Sequence, residues 1–388
     1  MSNAVIVGWA HSRFGRAEAP DTETLMAEVT GAAMAHAGVA PEDVDGIYVG
    51  AMNNGFTKQD FQGGLVAASD PRLAHVPAQR LENACATGSA AIHAAANFIE
   101  AGRGRVALVV GAEKMTGVSG AEVGEALLGA SYYKEEAGPG GFAGIFGRIA
   151  ENYFQRHGDQ SEALAAIAAK NHANGARNPY AHVQKDLGFD FCNTVGDKNP
   201  LVAGPLRRTD CSMVSDGAAA LVLADEDTAA DMARAIGFRA RVHVNDLLPM
   251  SQKDPIAFRG ARMAWDAARQ EAGITLDDLD FVESHDCFTI AELIEYEAMG
   301  LAAPGQGARV VAEGTARADG KLPINPSGGL KSKGHPIGAT GVSMHVLTAM
   351  QLMGEAGDFQ VRDANLGALF NMGGTAVANY VSVLERVR

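Results

Sequence analysis

Apolar and polar positions along the chain change period several times, and each change marks an element. MSNAVIVGWAHSRFG opens on a short apolar, strand-like run. In RLENACATGSAAIHAAANFIEAG, residues Ile92, Ala95, Ala96 and Ile99 fall at i, i+3, i+4 and i+7. That spacing predicts a helix beginning near Thr87 or Gly88 and ending at Gly102. Val346, Leu347, Met350 and Met353 mark one face of another helix, so these methionines read as core. Val106 to Val110 and Ala368 to Phe370 read as apolar strand cores, each after a long helix.

The pattern repeats once. AGVAPEDVDGIYV at 37–49 is echoed by AGITLDDLDFV at 272–282, each after an alanine-rich amphipathic helix and each continuing as a short strand. Gly38 and Gly273 sit where a left-handed helix cap is wanted. DGAAALVLADE at 216–226 is echoed by GGTAVANYVSVLE at 373–385, a small-residue turn followed by a period-2 strand. Echoes in the same order, half a chain apart, predict a duplicated α/β unit. Residues 118–205 have no counterpart in the second half and read as an insertion covering the site.

Composition narrows the function classes. The 388 residues suffice for two or three compact units, and the 46 glycines, clustered rather than periodic, point to tight loops. A net charge of −14 excludes nucleic acid and anionic membrane surfaces as expected partners. No apolar stretch is long enough to span a bilayer, and no basic leader precedes the first strand, so a cytoplasmic protein is expected. Cys85, Cys192, Cys211 and Cys287 are unclustered, which suits a reducing compartment. With no C-x-x-C pair and no H-E-x-x-H, no metal site is expected.

Three stretches carry reactive side chains. Cys85 falls just before a helix N-terminus, where unpaired N–H groups favour an anion, so its pKa is expected to fall. A nucleophile and a buried structural cysteine both fit this segment. NPSGGLKSKGHPIGATG at 325–341 has the glycine separation of a phosphate loop but places His335 where the lysine belongs, with no Ser/Thr after it. His335 is then either a loop residue or a base for a nucleophile elsewhere. FVESHDCFTI at 281–290 packs His285, Asp286 and Cys287 together, leaving catalyst, metal ligand and core filler open. Asp286 reads as a residue that fixes the loop, and Cys192 and Cys211 as structural.

Taken in order, CATGSAA, SHDCF and NPSGGLKSKGHPIGATG resemble the thiolases, most closely the sterol-carrier-protein type, over essentially the whole chain. The resemblance implies an α/β thiolase fold: two duplicated βαβαβαββ halves in an α-β-α-β-α layering with an inserted loop domain. The expected division is 1–117 and 206–234 for the first half, 118–205 for the inserted loop domain and 235–388 for the second half. It implies an acyltransferase that moves an acyl group between a 3-ketoacyl-CoA and CoA, with coenzyme A as substrate and no permanently bound cofactor. It also implies a homodimer or homotetramer.

By the same resemblance Cys85 is the acylated nucleophile, and His335 activates it and contributes to an oxyanion hole. Commoner thiolases carry a second cysteine in a C-x-G loop; here that stretch is Asn371-Met372-Gly373, and the acid/base is Cys287 instead. His285 takes the place of an asparagine in the first oxyanion site, and the N–H groups of Gly373 and Cys85 form the second. Arg207, Arg208, Lys331 and Lys333 are the candidates for the CoA phosphates. Two alternatives stand beside this reading: a thiolase-like acyltransferase or retro-aldolase with a small OB-fold partner, and a noncatalytic acyl-binding scaffold.

Overall fold

A computed structural model describes residues 3–138 and 140–388. Its strands are β1 (Ala4–His11), β2 (Gly46–Gly50), β3 (Ala78–Leu81), β4 (Val106–Glu113), β5 (Leu201–Ala203), β6 (Leu206–Arg207), β7 (Gly217–Asp225), β8 (Ile236–Asn245), β9 (Phe281–Glu283), β10 (Leu366–Gly373) and β11 (Ala378–Arg386). Nine of them form one mixed sheet in the order β3-β2-β4-β7-β1-β8-β11-β10-β9, while β5 and β6 make a separate ribbon.

The sheet is two copies of one pattern joined edge to edge. In the first half β1 and β7 are antiparallel, β7 and β4 antiparallel, and β4, β2 and β3 parallel. In the second half β8 and β11, then β11 and β10, are antiparallel, and β10 and β9 parallel. Outside β9, the counterpart of β3 shrinks to one parallel bridge between Val282 and Ile324. The halves meet where Val5 pairs with Gly237 and Ile6 with Ile236. The sequence echoes map onto this duplication. Gly38 and Gly273 adopt φ of 72° and 66° and close the helices Thr22–Ala37 and Arg259–Ala272.

Period-2 alternation sends side chains to two layers. Val5, Val7, Val106, Leu108 and Val110 face outward onto Leu25, Met26 and Val29 of the helix Thr22–Ala37. Ile6, Ala107, Val109, Leu221 and Leu223 face inward onto Ile92 and Ile99. The inner layer is built from the helices Thr87–Glu100 and Ile337–Met353, and the second is buried along its length to Leu352. They approach closely enough that a Cβ on Gly88 would lie 2.6 Å from Val342 N. The glycines of GATG therefore serve helix packing rather than a phosphate.

Where β10 and β11 are joined by a short turn, β4 and β7 are separated by the helices Gly120–Leu128, Gly141–His157 and Ser161–Gly175 and by the β5–β6 ribbon. The first two of these helices pack on each other, and the third packs on the helices Thr289–Met299 and Gly329–Lys333 of the second half.

Candidate active site

Cys85 stands on a sharp elbow between β3 and the helix Thr87–Glu100. Ala84 is held in the left-handed region at φ 49°, a conformation costing about 1–3 kcal/mol that the surroundings must impose. Asn83 N–H donates to Thr87 Oγ1 at 2.8 Å, and Ala86 N–H and Thr87 N–H donate to Asn83 O and Ala84 O. The thiol is 4% exposed.

Here the structure corrects the sequence reading. Burial pushes the Cys85 thiol up to about 12, against the pull of the Gly374 and Cys85 N–H groups and with the Glu82 and Glu113 carboxylates adding to the rise. Desolvation outweighs the helix end, so the resting group is a thiol. Cys287, 3% exposed, is raised well above an ordinary thiol by burial and then by Cys85, Glu295 and Asp286. It too is neutral at rest.

Both imidazoles converge on Cys85. Its Sγ and one nitrogen from each of His285 and His335 lie within 4.8 Å of one another. The two rings meet edge to face at 5.1 Å between centroids. Burial, reinforced by Lys333, drops His335 to about 3; burial, His335 and Lys333 hold His285 far below its usual value. Both are neutral, so each carries one proton, and the hydrogen bonds fix where.

His335 Nδ1 lies 2.6 Å from Thr340 Oγ1, and Thr340 spends its single hydroxyl proton on Pro336 O at 2.8 Å. Nδ1 therefore carries the proton and donates, and Nε2 is a bare lone pair with no protein partner. His285 is the reverse. Asn371 Nδ2 donates to Cys85 O at 3.1 Å and lies 2.9 Å from His285 Nδ1, while Asn371 Oδ1 accepts from Ser89 Oγ at 2.7 Å. A carbonyl oxygen only accepts, so the amide nitrogen must face this way and His285 Nδ1 accepts. The proton sits on Nε2, which also lacks a protein partner. One ring offers a base to the site and the other a donor.

Cys85, Cys287 and His335 line a cavity of about 400 Å³ with Val123, Leu127, Phe142, Val202, Met213, Phe288 and Ile337. Among the described residues its wall contains no Asp, Glu, Lys or Arg. Cys211, read from sequence as structural, also lines it, and Ser212 N–H donates to Cys287 O at 2.9 Å. Asp286 holds the loop as expected: it accepts from Leu330 N–H at 2.6 Å and Lys331 N–H at 3.1 Å. Gly373 ends β10, and it is the next residue, Gly374, whose N–H faces the Cys85 sulfur.

Three of the four basic residues are withdrawn from any solvent-borne phosphate. Arg207 is 2% exposed and gives its guanidinium to Asp210, Asn193 and Ser161 O. Lys333 is fully buried and donates to Ser343 Oγ, and Lys331 is 2% exposed. Arg208 alone of the four is exposed. Sequence reasoning missed Asn371 and Thr340. The signal for Asn371 was an amide inside the apolar strand LGALFNMG; that for Thr340 was a hydroxyl one helical turn past His335.

Comparison with known proteins follows the same lines. Residues 4–189 match the family model described as "Thiolase, N-terminal domain", and residues 243–386 match "Thiolase C-terminal domain-like". The chain is 34% identical over 392 residues to an acetyl-CoA acetyltransferase of Methanothermobacter thermautotrophicus, covering 100% of both. It is 36% identical over 315 residues to human (Homo sapiens) sterol carrier protein 2, covering 77% of this chain and 56% of that protein. A solved structure titled "Ltp2-ChsH2(DUF35) aldolase" superposes with a TM-score of 0.82 at 20% identity, over 100% of this chain and 98% of that one, a likeness of fold. Duplicated sheet, central helix pair and both family matches agree: the chain belongs to the thiolase family.

Proposed function

We propose that the protein is an acyltransferase cleaving 3-ketoacyl-CoA with CoA, or running the same steps backwards as a Claisen condensation. The observation that carries this is one thiol flanked by two imidazoles of opposite tautomer. His335 Nε2 takes the proton of Cys85, which relieves the cost of a lone buried thiolate because a cation forms beside it. The thiolate attacks the 3-keto carbon. The resulting oxyanion is held by the N–H of Cys85 and the turn at Gly373 and Gly374. The C2–C3 bond then breaks, leaving the acyl group on Cys85 and its electron pair on C2 as an enolate. The enolate oxygen accepts from Nε2–H of His285 and from the now protonated Nε2 of His335. Cys287 gives its proton to C2, completing acetyl-CoA. It then takes the proton of an incoming CoA thiol, whose sulfur removes the acyl group, and His335 returns its proton to Cys85.

The uncharged cavity favours a bulky apolar acyl group, larger than the acetyl unit released. Arg208 is the remaining candidate for a CoA phosphate among the four basic residues. The free cysteines suit a cytoplasmic setting. The helices and ribbon inserted between β4 and β7 supply much of the cavity wall, in keeping with a loop domain at 118–205.

Mass spectrometry after mixing with acetyl-CoA tests the reading: an acetyl adduct on Cys85 is expected, lost in Cys85→Ala. A noncatalytic scaffold forms no adduct, and a retro-aldolase aided by a small OB-fold protein cleaves without one. Absence of the adduct in the active wild-type protein sinks the proposal.

A further inference from the structure

We propose that Asn371 is a positioning residue that assigns the two histidines their different roles by holding the proton of His285 on Nε2. This rests on the acyltransfer reading above.

The site contains two neutral imidazoles: one nitrogen of each and Cys85 Sγ lie within 4.8 Å of one another, and both Nε2 atoms lack a protein partner. Nothing in the rings themselves decides which is base and which is donor. If His285 carried its proton on Nδ1, its Nε2 lone pair would face the enolate oxygen and repel it. It would also compete with His335 for the Cys85 proton. The choice is made behind the ring, at Nδ1.

Asn371 is fixed there by three bonds, all within fully or nearly fully buried surroundings. Its Oδ1 accepts from Ser89 Oγ at 2.7 Å. Its two amide hydrogens go to Cys85 O at 3.1 Å and to His285 Nδ1 at 2.9 Å. The Cys85 carbonyl prevents the amide from flipping, since a flip would set two oxygens against each other. Asn371 thus reads the backbone of the nucleophile and transmits a fixed polarity to His285. It belongs to β10, while Ser89 lies on the helix that follows Cys85, so the contact also ties the second half of the molecule to the first.

The two half-reactions separate this role from a structural one. Acetyl exchange between acetyl-CoA and labelled CoA uses Cys85, His335, the backbone donors and Cys287 as proton carrier for the CoA thiol, but forms no enolate and so does not call on His285 Nε2–H. Cleavage and condensation need His285 Nε2–H. In Asn371→Asp the carboxylate can only accept, so His285 must turn its proton to Nδ1. Carbon–carbon cleavage should then fall by ~100-fold or more in kcat, the usual loss for one oxyanion donor, with KM little changed. Exchange should fall by less than ~10-fold, a loss under about 1.4 kcal/mol, because no donor to a reacting oxygen is removed from that half-reaction. Nitrogen NMR of labelled histidines should show Nε2 of His285 protonated in the wild-type protein and unprotonated in Asn371→Asp.

Cleavage retained in Asn371→Asp, or exchange and cleavage falling together, would overturn the proposal. So would a wild-type His285 protonated on Nδ1, a result that needs no variant to fold. Failure of the wild-type protein to exchange acetyl groups would instead strike at the acyltransfer reading and leave the tautomer measurement standing.

Discussion

Two sulfurs are buried beside two imidazoles, and the chemistry turns on their being neutral. With Cys85 pushed up to about 12 and His335 down to about 3, neither group titrates near neutrality in the free protein. The sign follows: raising pH across the ordinary thiol range creates almost no Cys85 thiolate. Alkylation of Cys85 by iodoacetamide should therefore be slow at about pH 7 and show no inflection near ~8.5, the value of an unperturbed thiol. A sigmoid centred there, followed by peptide mass mapping, would mean the thiolate exists at rest. Cys287 only moves protons in the proposed steps, so Cys287→Ala should still acylate Cys85 from acetyl-CoA, slowly because the leaving CoA thiolate loses its proton donor, but condense at least ~100-fold more slowly than the wild type, the scale of general acid–base catalysis. Undiminished condensation would give that role to another group. Sequence made the identity of these side chains readable because a resemblance supplied their roles. It misjudged their charge, since a helix end is visible in a sequence and desolvation is not. Asn371 escaped for the same reason: its partners come from two segments distant from it in the chain, Cys85 and Ser89 from one and His285 from the other.

Elements deliver those residues by packing glycine against glycine. The helices Thr87–Glu100 and Ile337–Met353 cross where a Cβ on Gly88 would meet backbone at Val342 N, 2.6 Å away. Backbone cannot yield as a side-chain tip can, so Gly88→Ala should cost about 1–3 kcal/mol, the range of core overpacking. A urea midpoint unchanged from wild type would show that the pair slides apart freely. The inserted helix Gly120–Leu128 shapes the cavity differently. Val123 and Leu127 line it, as do Gly120 and Gly124, where a Cβ would meet nothing within 4 Å. Gly124→Leu should fill that notch. Turnover of bulky 3-ketoacyl-CoA should fall by about 10-fold or more, the effect of 1.4 kcal/mol or more of steric cost, while acetoacetyl-CoA is spared. Equal losses on both would place the acyl group elsewhere. The helices and strands themselves were legible from period alone, down to the caps at Gly38 and Gly273. The insertion was legible only as the piece without an echo, because the helices it forms pack against helices far away in the chain, Thr289–Met299 and Gly329–Lys333.

At the scale of the molecule the two halves end differently. Outside β9 the segment at Ile324 covers the sheet edge, whereas β3 closes the other end with Ala78 and Gln79 exposed. An exposed edge strand is a template for pairing, and a second copy of the same edge is the partner always at hand. Ile47 N–H donates to Pro77 O, so residue 77 faces β2 and, by alternation, Ala78 turns its N–H away from the sheet. If the expected homodimer forms along this edge, Ala78→Pro removes a donor that serves only the partner. Light scattering should then report a dimer for the wild-type chain and a monomer for the variant, with folding retained. A wild-type monomer, or a variant that stays dimeric, would move the interface elsewhere. The edge matters to the chemistry because β3 runs through Glu82, Asn83 and Ala84 straight into Cys85. Freed of a partner, that strand would hold the strained Ala84 less firmly, so the monomer should also acylate Cys85 more slowly than the dimer at equal protein concentration.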